Sequence, residues 1–223
     1  MLFSALLTSG KTNTSEIAVN NQEAYGPVAS VSESYPTDIS VGLIDDFEGC
    51  TDTLVWPGYQ SGPTIGCGID LANIGIVNVK KIFSGVVEGN TYRTLLEATK
   101  VRGGKAESWS SRHQVRLTEH QVHVTKNRML RIMWLYVESQ FPGIDSAPGE
   151  IKTAVLSCAM NRGPYNKAIL RLRPLVANKR YRELANVIQN MSNDHAERGL
   201  KLRRTREAEL VRLVDSDASG KYD

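Results

Sequence analysis

The sequence predicts an α+β fold, a small β-hairpin lobe followed by a larger all-helical lobe. Three observations carry that prediction. The stretch from Phe47 to Asp70, FEGCTDTLVWPGYQSGPTIGCGID, is dense in turn residues and ends in a short strand-like run. From about residue 75 onward the apolar spacing is helical, and caps and breakers mark one helix after another. Length and composition agree, because 223 residues with 41% hydrophobic and 23% charged content can bury a core without metal or a disulfide framework. A cleft between two such lobes is a natural place for a ligand.

Residues 1–38 are rich in Ser, Thr, Asn and Glu without a sustained apolar period, and read as a linker or flexible N-terminal segment. The apolar start, MLFSALLTSG, lacks a basic region and is short, so it gives no clear signal peptide. The folded domain is expected over 39–215, followed by a flexible tail, 216–223. Asp38, Ile39 and Ser40 offer caps for a helix over 41–48, which Gly49 closes. Turns follow at Trp56-Pro57-Gly58 and Ser61-Gly62-Pro63, then a strand over 64–69. Helices are expected over 78–87 and 92–100, the second ended by Arg102-Gly103-Gly104. Thr118 and Gln121 form a capping box for a helix that runs to Phe141, where Pro142-Gly143 stops it. Further helices are expected over 148–160, stopped by Gly163-Pro164, and over 166–178, 179–191 and 198–214.

Two features in the β-lobe point to chemistry. Glu48 ends the first helix, where the helix dipole disfavours a carboxylate, and that field is expected to raise its pKa toward the range of a general acid. On a strand over 64–69, alternation would put Thr64, Gly66, Gly68 and Asp70 on one face, a smooth floor with a hydroxyl at one end and a carboxylate at the other. Ile65, Cys67 and Ile69 would pack on the opposite face. Glycines weaken a strand unless something must approach closely, and a glycan chain fits that need; a bulged hairpin without a ligand is the alternative. A glutamate and an aspartate in this arrangement are the carboxylate pair that glycoside hydrolysis uses.

The motifs FEG and WPGYQSGPTIGCGIDL resemble the phage-type lysozyme superfamily, and in particular its pesticin-like muramidase branch, found in bacteriocins and type VI secretion effectors. The segments IKTAVLSCAMNRG and GLKLRRTREAELVR are similar to the cleft-lining and closing helices of that family. The resemblance covers about 40–75 and 148–214; the middle, 76–147, fits only as helical pattern and length. It departs from the family at Cys67 and Ile69, where bulkier residues are usual, and at Ala72, where glycine is usual. It implies a lysozyme-like fold and a muramidase that cuts the β-1,4 bond between N-acetylmuramic acid and N-acetylglucosamine. Glu48 would be the acid, Asp70 the second carboxylate and Thr64 the residue that places water. Pro57 stands where many phage enzymes carry their aspartate, which directs the reading to Asp70 and away from Asp52. Tyr59, Gly66, Gly68, Asn161 and Arg162 would meet the glycan, although Tyr59 and Trp56 fit turn packing equally well. The alternative is a peptidoglycan-binding module on the same fold with catalysis lost.

No cofactor is implied. The partner is peptidoglycan glycan strands, and the family adds an immunity protein or secretion machinery. A monomer acting in the periplasm or wall of a target or host cell is expected. No stretch approaches the roughly 20 apolar residues of a membrane span. Residues 1–75 hold one Lys or Arg against nine Asp or Glu, and residues 76–223 hold 26 against 15, so the helical part is basic. That part fits either a polyanion or solvated helix faces; Arg203, Arg204 and Arg206, interleaved with Glu207 and Glu209, read mainly as solvent-facing ion pairs. No nucleic-acid recognition pattern accompanies it. Cys50, Cys67 and Cys158 show no metal-ligand spacing. Their preferred reading is three small buried hydrophobes, with a Cys50–Cys67 bridge left open. A cysteine amidohydrolase using Cys50 or Cys67 with His113, His120 or His123 has no supporting context.

Overall fold

The computed structural model describes residues 35–192 and 198–219. Most of the expected N-terminal linker, residues 1–34, and residues 220–223 of the expected tail lie outside the described residues. In chain order the elements are α1 (Val41–Glu48), β1 (Thr51–Val55), β2 (Thr64–Gly66), β3 (Ile69–Asp70), α2 (Leu71–Phe83), α3 (Gly89–Ala98), α4 (Gly104–Arg112), α5 (Glu119–Gln140), α6 (Gly149–Arg162), α7 (Lys167–Leu170), α8 (Arg173–Ala177), α9 (Tyr181–Gln189) and α10 (Arg198–Ser219). The expected α+β architecture is present at this level: a three-stranded antiparallel sheet, ordered β1-β2-β3, set beside a larger group of helices.

α6 organises the helices. Ile151 through Ala159 are consecutively buried, and a helix covered all round is a central one. α5 supplies Met129, Leu130, Met133, Trp134 and Val137 to the same core. Its capping box forms as expected: Thr118 Oγ1 accepts from the Gln121 amide at 3.2 Å, and Gln121 Oε1 accepts from the Thr118 amide at 2.9 Å. Asp38 and Ser40, expected as caps, are used to fasten α1 to α6. Asp38 Oδ2 accepts from the buried Lys152 ammonium at 2.9 Å, and the Ser40 amide donates to Thr153 Oγ1 at 2.9 Å.

The strand expected over 64–69 is two strands. β2 turns back at Cys67 and Gly68 into β3, so Thr64 pairs with Asp70 and Ile65 with Ile69. Gly66 and Gly68 adopt φ of +63° and +73°, which a continuous strand does not allow. The shared face of Thr64, Gly66, Gly68 and Asp70 therefore does not form. Helical boundaries also differ. α2 begins at Leu71, because Asp70 caps it, and bends at Gly75. The single helix expected over 166–178 splits into α7 and α8, with Pro174 in the first turn of α8, where its missing N–H costs nothing. α10 continues past the expected end at 214.

Candidate active site

Glu48 is the last residue of α1, and its side chain keeps only 16% of its surface exposed. Oε1 lies 2.7 Å from an Nη atom of Arg203 on α10. Oε2 faces the turn between β2 and β3: a β-carbon at Gly68 would stand 2.9 Å from it. Cys50, two residues beyond Glu48, is joined to Cys67 by a disulfide. The bridge sits one step past the Thr51–Gly66 pair of β1 and β2, so the chain leaving Glu48 is tied to the hairpin turn. The reading of three small buried hydrophobes is corrected: Cys50 is exposed, and only Cys158 is free and buried. The bond also removes Cys50 and Cys67 as nucleophiles.

Behind Glu48 lies a buried charged network. Arg203 is buried, and burial works against its charge; Glu48 and Glu207 on either side nevertheless hold its pKa above the ordinary arginine value. Arg203 Nε donates to Glu207 Oε1 at 3.1 Å, and its Nη2 donates to the Ser157 carbonyl at 2.8 Å. Arg204 pairs with Glu207 Oε2 and donates to Asn161 Oδ1. Ser157 donates to Glu207 at 2.5 Å and Cys158 at 3.2 Å. Burial pushes the Cys158 thiol well above its ordinary pKa, and the Glu207 carboxylate pushes the same way, so the thiol stays protonated and donates. Both guanidinium groups of Arg203 and Arg206 lie over the Phe47 ring, at 5.1 and 5.8 Å. The solvent-facing reading of this helix is corrected for Arg203, Arg204 and Glu207, which are 5%, 0% and 0% exposed. The available signal was the spacing of Arg203 and Arg204 to Glu207, which stacks all three on one helix face.

Thr64 and Asp70 are brought together as a cross-strand pair. Thr64 is buried, and its hydroxyl donates to the Gly62 carbonyl at 3.2 Å. Asp70 is heavily engaged. Oδ1 accepts from the amides of Ala72 and Asn73 at 3.1 and 3.0 Å, Oδ2 accepts from Asn73 Nδ2 at 2.6 Å, and the Gly62 amide reaches both oxygens. Arg102 in turn donates to Asn73 Oδ1 and to the Ala72 carbonyl. With these donors in place the carboxylate has little capacity left to accept a water proton.

The remaining candidates divide. Gly68 is exposed beside Glu48, and Asn161 is exposed at the end of α6 while joined to the network through Arg204. Gly66 instead is buried, and a β-carbon there would meet Ile69 and Thr125. Arg162 donates to the Met191 carbonyl at 2.9 Å, while its buried Nε has no hydrogen-bond partner among the described residues. Tyr59 is 79% exposed in the β1–β2 loop, at φ +55°, and Trp56 is held in the same loop by its Nε1 donating to Ser61 at 3.2 Å. The other nearby carboxylates are paired with cations: Asp45 with Lys126, Asp46 with Arg206 and Asp52 with Arg116. Among the described residues no three His, Cys, Asp or Glu converge as a metal site requires. A cavity of about 360 Å³ lies elsewhere, lined by Ala168, Arg171, Asn186, Val187, Asn190 and Met191.

What this arrangement offers chemically is one nearly buried carboxylate at the meeting of a helix end, a hairpin turn and a buried arginine. No protein-family model matches the sequence, and no curated protein matches it either.

Proposed function

We propose that this chain is a muramidase of the lysozyme type, cleaving the β-1,4 bond between N-acetylmuramic acid and N-acetylglucosamine in peptidoglycan. The observation that carries the reading is the setting of Glu48. Hydrolysis of a glycoside needs an acid aimed at the leaving oxygen. Oε1 is held by Arg203, and Oε2, beside the side-chain-free Gly68, is the oxygen placed to meet the leaving oxygen. A glycan can approach Gly68 closely because nothing projects from it. Thr64 is assigned to orienting water. Asp70 is assigned to holding the hairpin and the start of α2, since its oxygens are already occupied by Gly62, Ala72 and Asn73. The motif resemblance supports the same reaction and adds the setting: action in the periplasm or wall of a target or host cell, as an antibacterial effector or phage lysis enzyme, by a monomer, with an immunity protein or secretion machinery as partner. Among the described residues no helix is long and apolar enough to cross a membrane.

A second reading rests on that same occupancy. If the water that Thr64 orients does not attack without a carboxylate base beside it, the chain holds wall glycan without cutting it. Digestion of purified peptidoglycan by the full chain, with mass analysis of the products, separates the two. Muropeptides with reducing-end muramic acid, lost in Glu48→Gln, are expected. Sacculus binding without release selects the binding module. Release of free stem peptides that Glu48→Gln does not affect means a different bond and a different site.

A further inference from the structure

We infer that the Cys50–Cys67 disulfide positions Glu48, so that hydrolysis depends on the oxidised form of the chain; the inference rests on the reading of Glu48 as the acid. Glu48 belongs to α1, but one oxygen looks onto Gly68 in the hairpin turn, and the distance between them is set by how firmly that turn is held. The secondary structure there is thin. β2 has three residues and β3 two, and the register between β1 and β2 is irregular. Gly49, which joins Glu48 to Cys50, has φ +58° and no atom within 4 Å of where its β-carbon would be, so no packing at that point holds the joint. Asp70 fastens the base of the hairpin to Gly62 and α2. At the tip, the covalent tie is the disulfide, which joins the segment Glu48-Gly49-Cys50 to Cys67, the neighbour of the glycine that faces the acid.

Access and chemistry fit a reversible device. Cys50, an exposed residue, is the side of the bridge open to an attacking thiolate, since Cys67 is buried, and Cys158 is buried and takes no part. A dithiol reduces the bridge with two electrons, leaving a thiol at each cysteine and becoming a cyclic disulfide itself; in an oxidising compartment, exchange with a disulfide oxidant, which leaves as its dithiol, restores the bond. A chain made in a reducing cytoplasm would therefore keep Glu48 loosely placed, and one that has reached an oxidising wall compartment would have it set. α5 and α6 supply a large share of the core away from the bridge.

The test compares the full chain oxidised, reduced with dithiothreitol, and as Cys50→Ser with Cys67→Ser. Peptidoglycan hydrolysis and backbone hydrogen exchange are measured on each. Reduction is expected to raise exchange over 45–70 and leave α5 and α6 protected. Turnover should fall about 100-fold, the loss that a displacement near 1 Å brings. Sacculus binding should change less than about twofold, since positioning acts on the chemical step. The double serine variant should match the reduced chain and ignore the reductant. Unchanged exchange and unchanged turnover in the reduced chain overturn the inference and leave the hydrolase reading standing. Loss of protection throughout the molecule also overturns it, making the bridge a staple of the whole fold. A local change in exchange with no hydrolysis in any form keeps the mechanical tie to Glu48 and rejects the hydrolase reading.

Discussion

At φ +73°, Gly68 sits in the left-handed region, and the place its β-carbon would take is 2.9 Å from Glu48 Oε2. Two effects of one substitution can therefore be separated. Gly68→Ala carries a backbone penalty of about 1–2 kcal/mol and pushes on the acid. Gly85 has φ +69° and no atom within 4 Å of its missing β-carbon, so Gly85→Ala carries the backbone penalty alone. Both variants are expected to melt a few degrees below the parent. Only Gly68→Ala should lose muropeptide release, by about 100-fold if Glu48 moves near 1 Å. Equal rates in the two variants would mean that the turn does not bear on the acid. The residue scale also explains the choice of partner for Glu48. A guanidinium forks between two acceptors, and Arg203 uses that fork to reach Glu48 and Glu207 from one buried position.

Among the elements, the hairpin and α2 are bound together by one side chain. Asp70 ends β3, caps α2 and collects the Gly62 amide from the preceding loop. Asp70→Ala removes all of these acceptors and is expected to cost about 1–2 kcal/mol in urea unfolding, the range of a lost N-cap. Asn is as good a cap as Asp but keeps one acceptor oxygen and turns its NH2 toward the donors on the other, so Asp70→Asn is expected to lose about 1 kcal/mol and keep hydrolysis. A stable Asp70→Asn without hydrolysis would return Asp70 to the chemistry. The same segment shows what was legible in the sequence. α1, the capping box of α5 and the stop at Pro142-Gly143 carry local signals and appear where expected. The order Thr-Ile-Gly-Cys-Gly-Ile-Asp fits period two and also fits a turn with glycines at positive φ, so periodicity alone could not separate a strand from a hairpin. β1, Thr51–Val55, is short and mostly polar, which hid it. Asp70 before Leu71 was a readable cap, but its placement in a presumed strand concealed it. Glu48 at a helix end was legible; Arg203 was not, because charged residues on a helix read as solvent-facing until tertiary packing covers them.

Across the whole molecule, α10 closes the fold by joining the first described helix to the central one. Arg203 reaches Glu48 on α1 and Ser157 on α6, Arg204 reaches Asn161 at the end of α6, and Glu207 balances both arginines with Ser157 and Cys158 as its other donors. A buried network of this kind matters less for its net stabilisation than for what its loss leaves behind. Glu207→Ala would leave two buried guanidinium groups without their shared carboxylate. The expected loss is about 3–5 kcal/mol, which at about 2–4 °C per kcal/mol for a chain of this size lowers Tm by roughly 6–20 °C. Arg206→Ala provides the contrast. Its pair with Asp46 spans 3.6 Å, and both side chains are largely exposed, so its loss is expected to stay within about 1 kcal/mol. Thermal melts of the two variants measure the difference. Similar small shifts would show that α10 packs on α6 through its apolar face alone, with the charges as passengers. A large shift for Glu207→Ala with little for Arg206→Ala would place the anchoring of Glu48 in the same buried charges that hold the C-terminal helix.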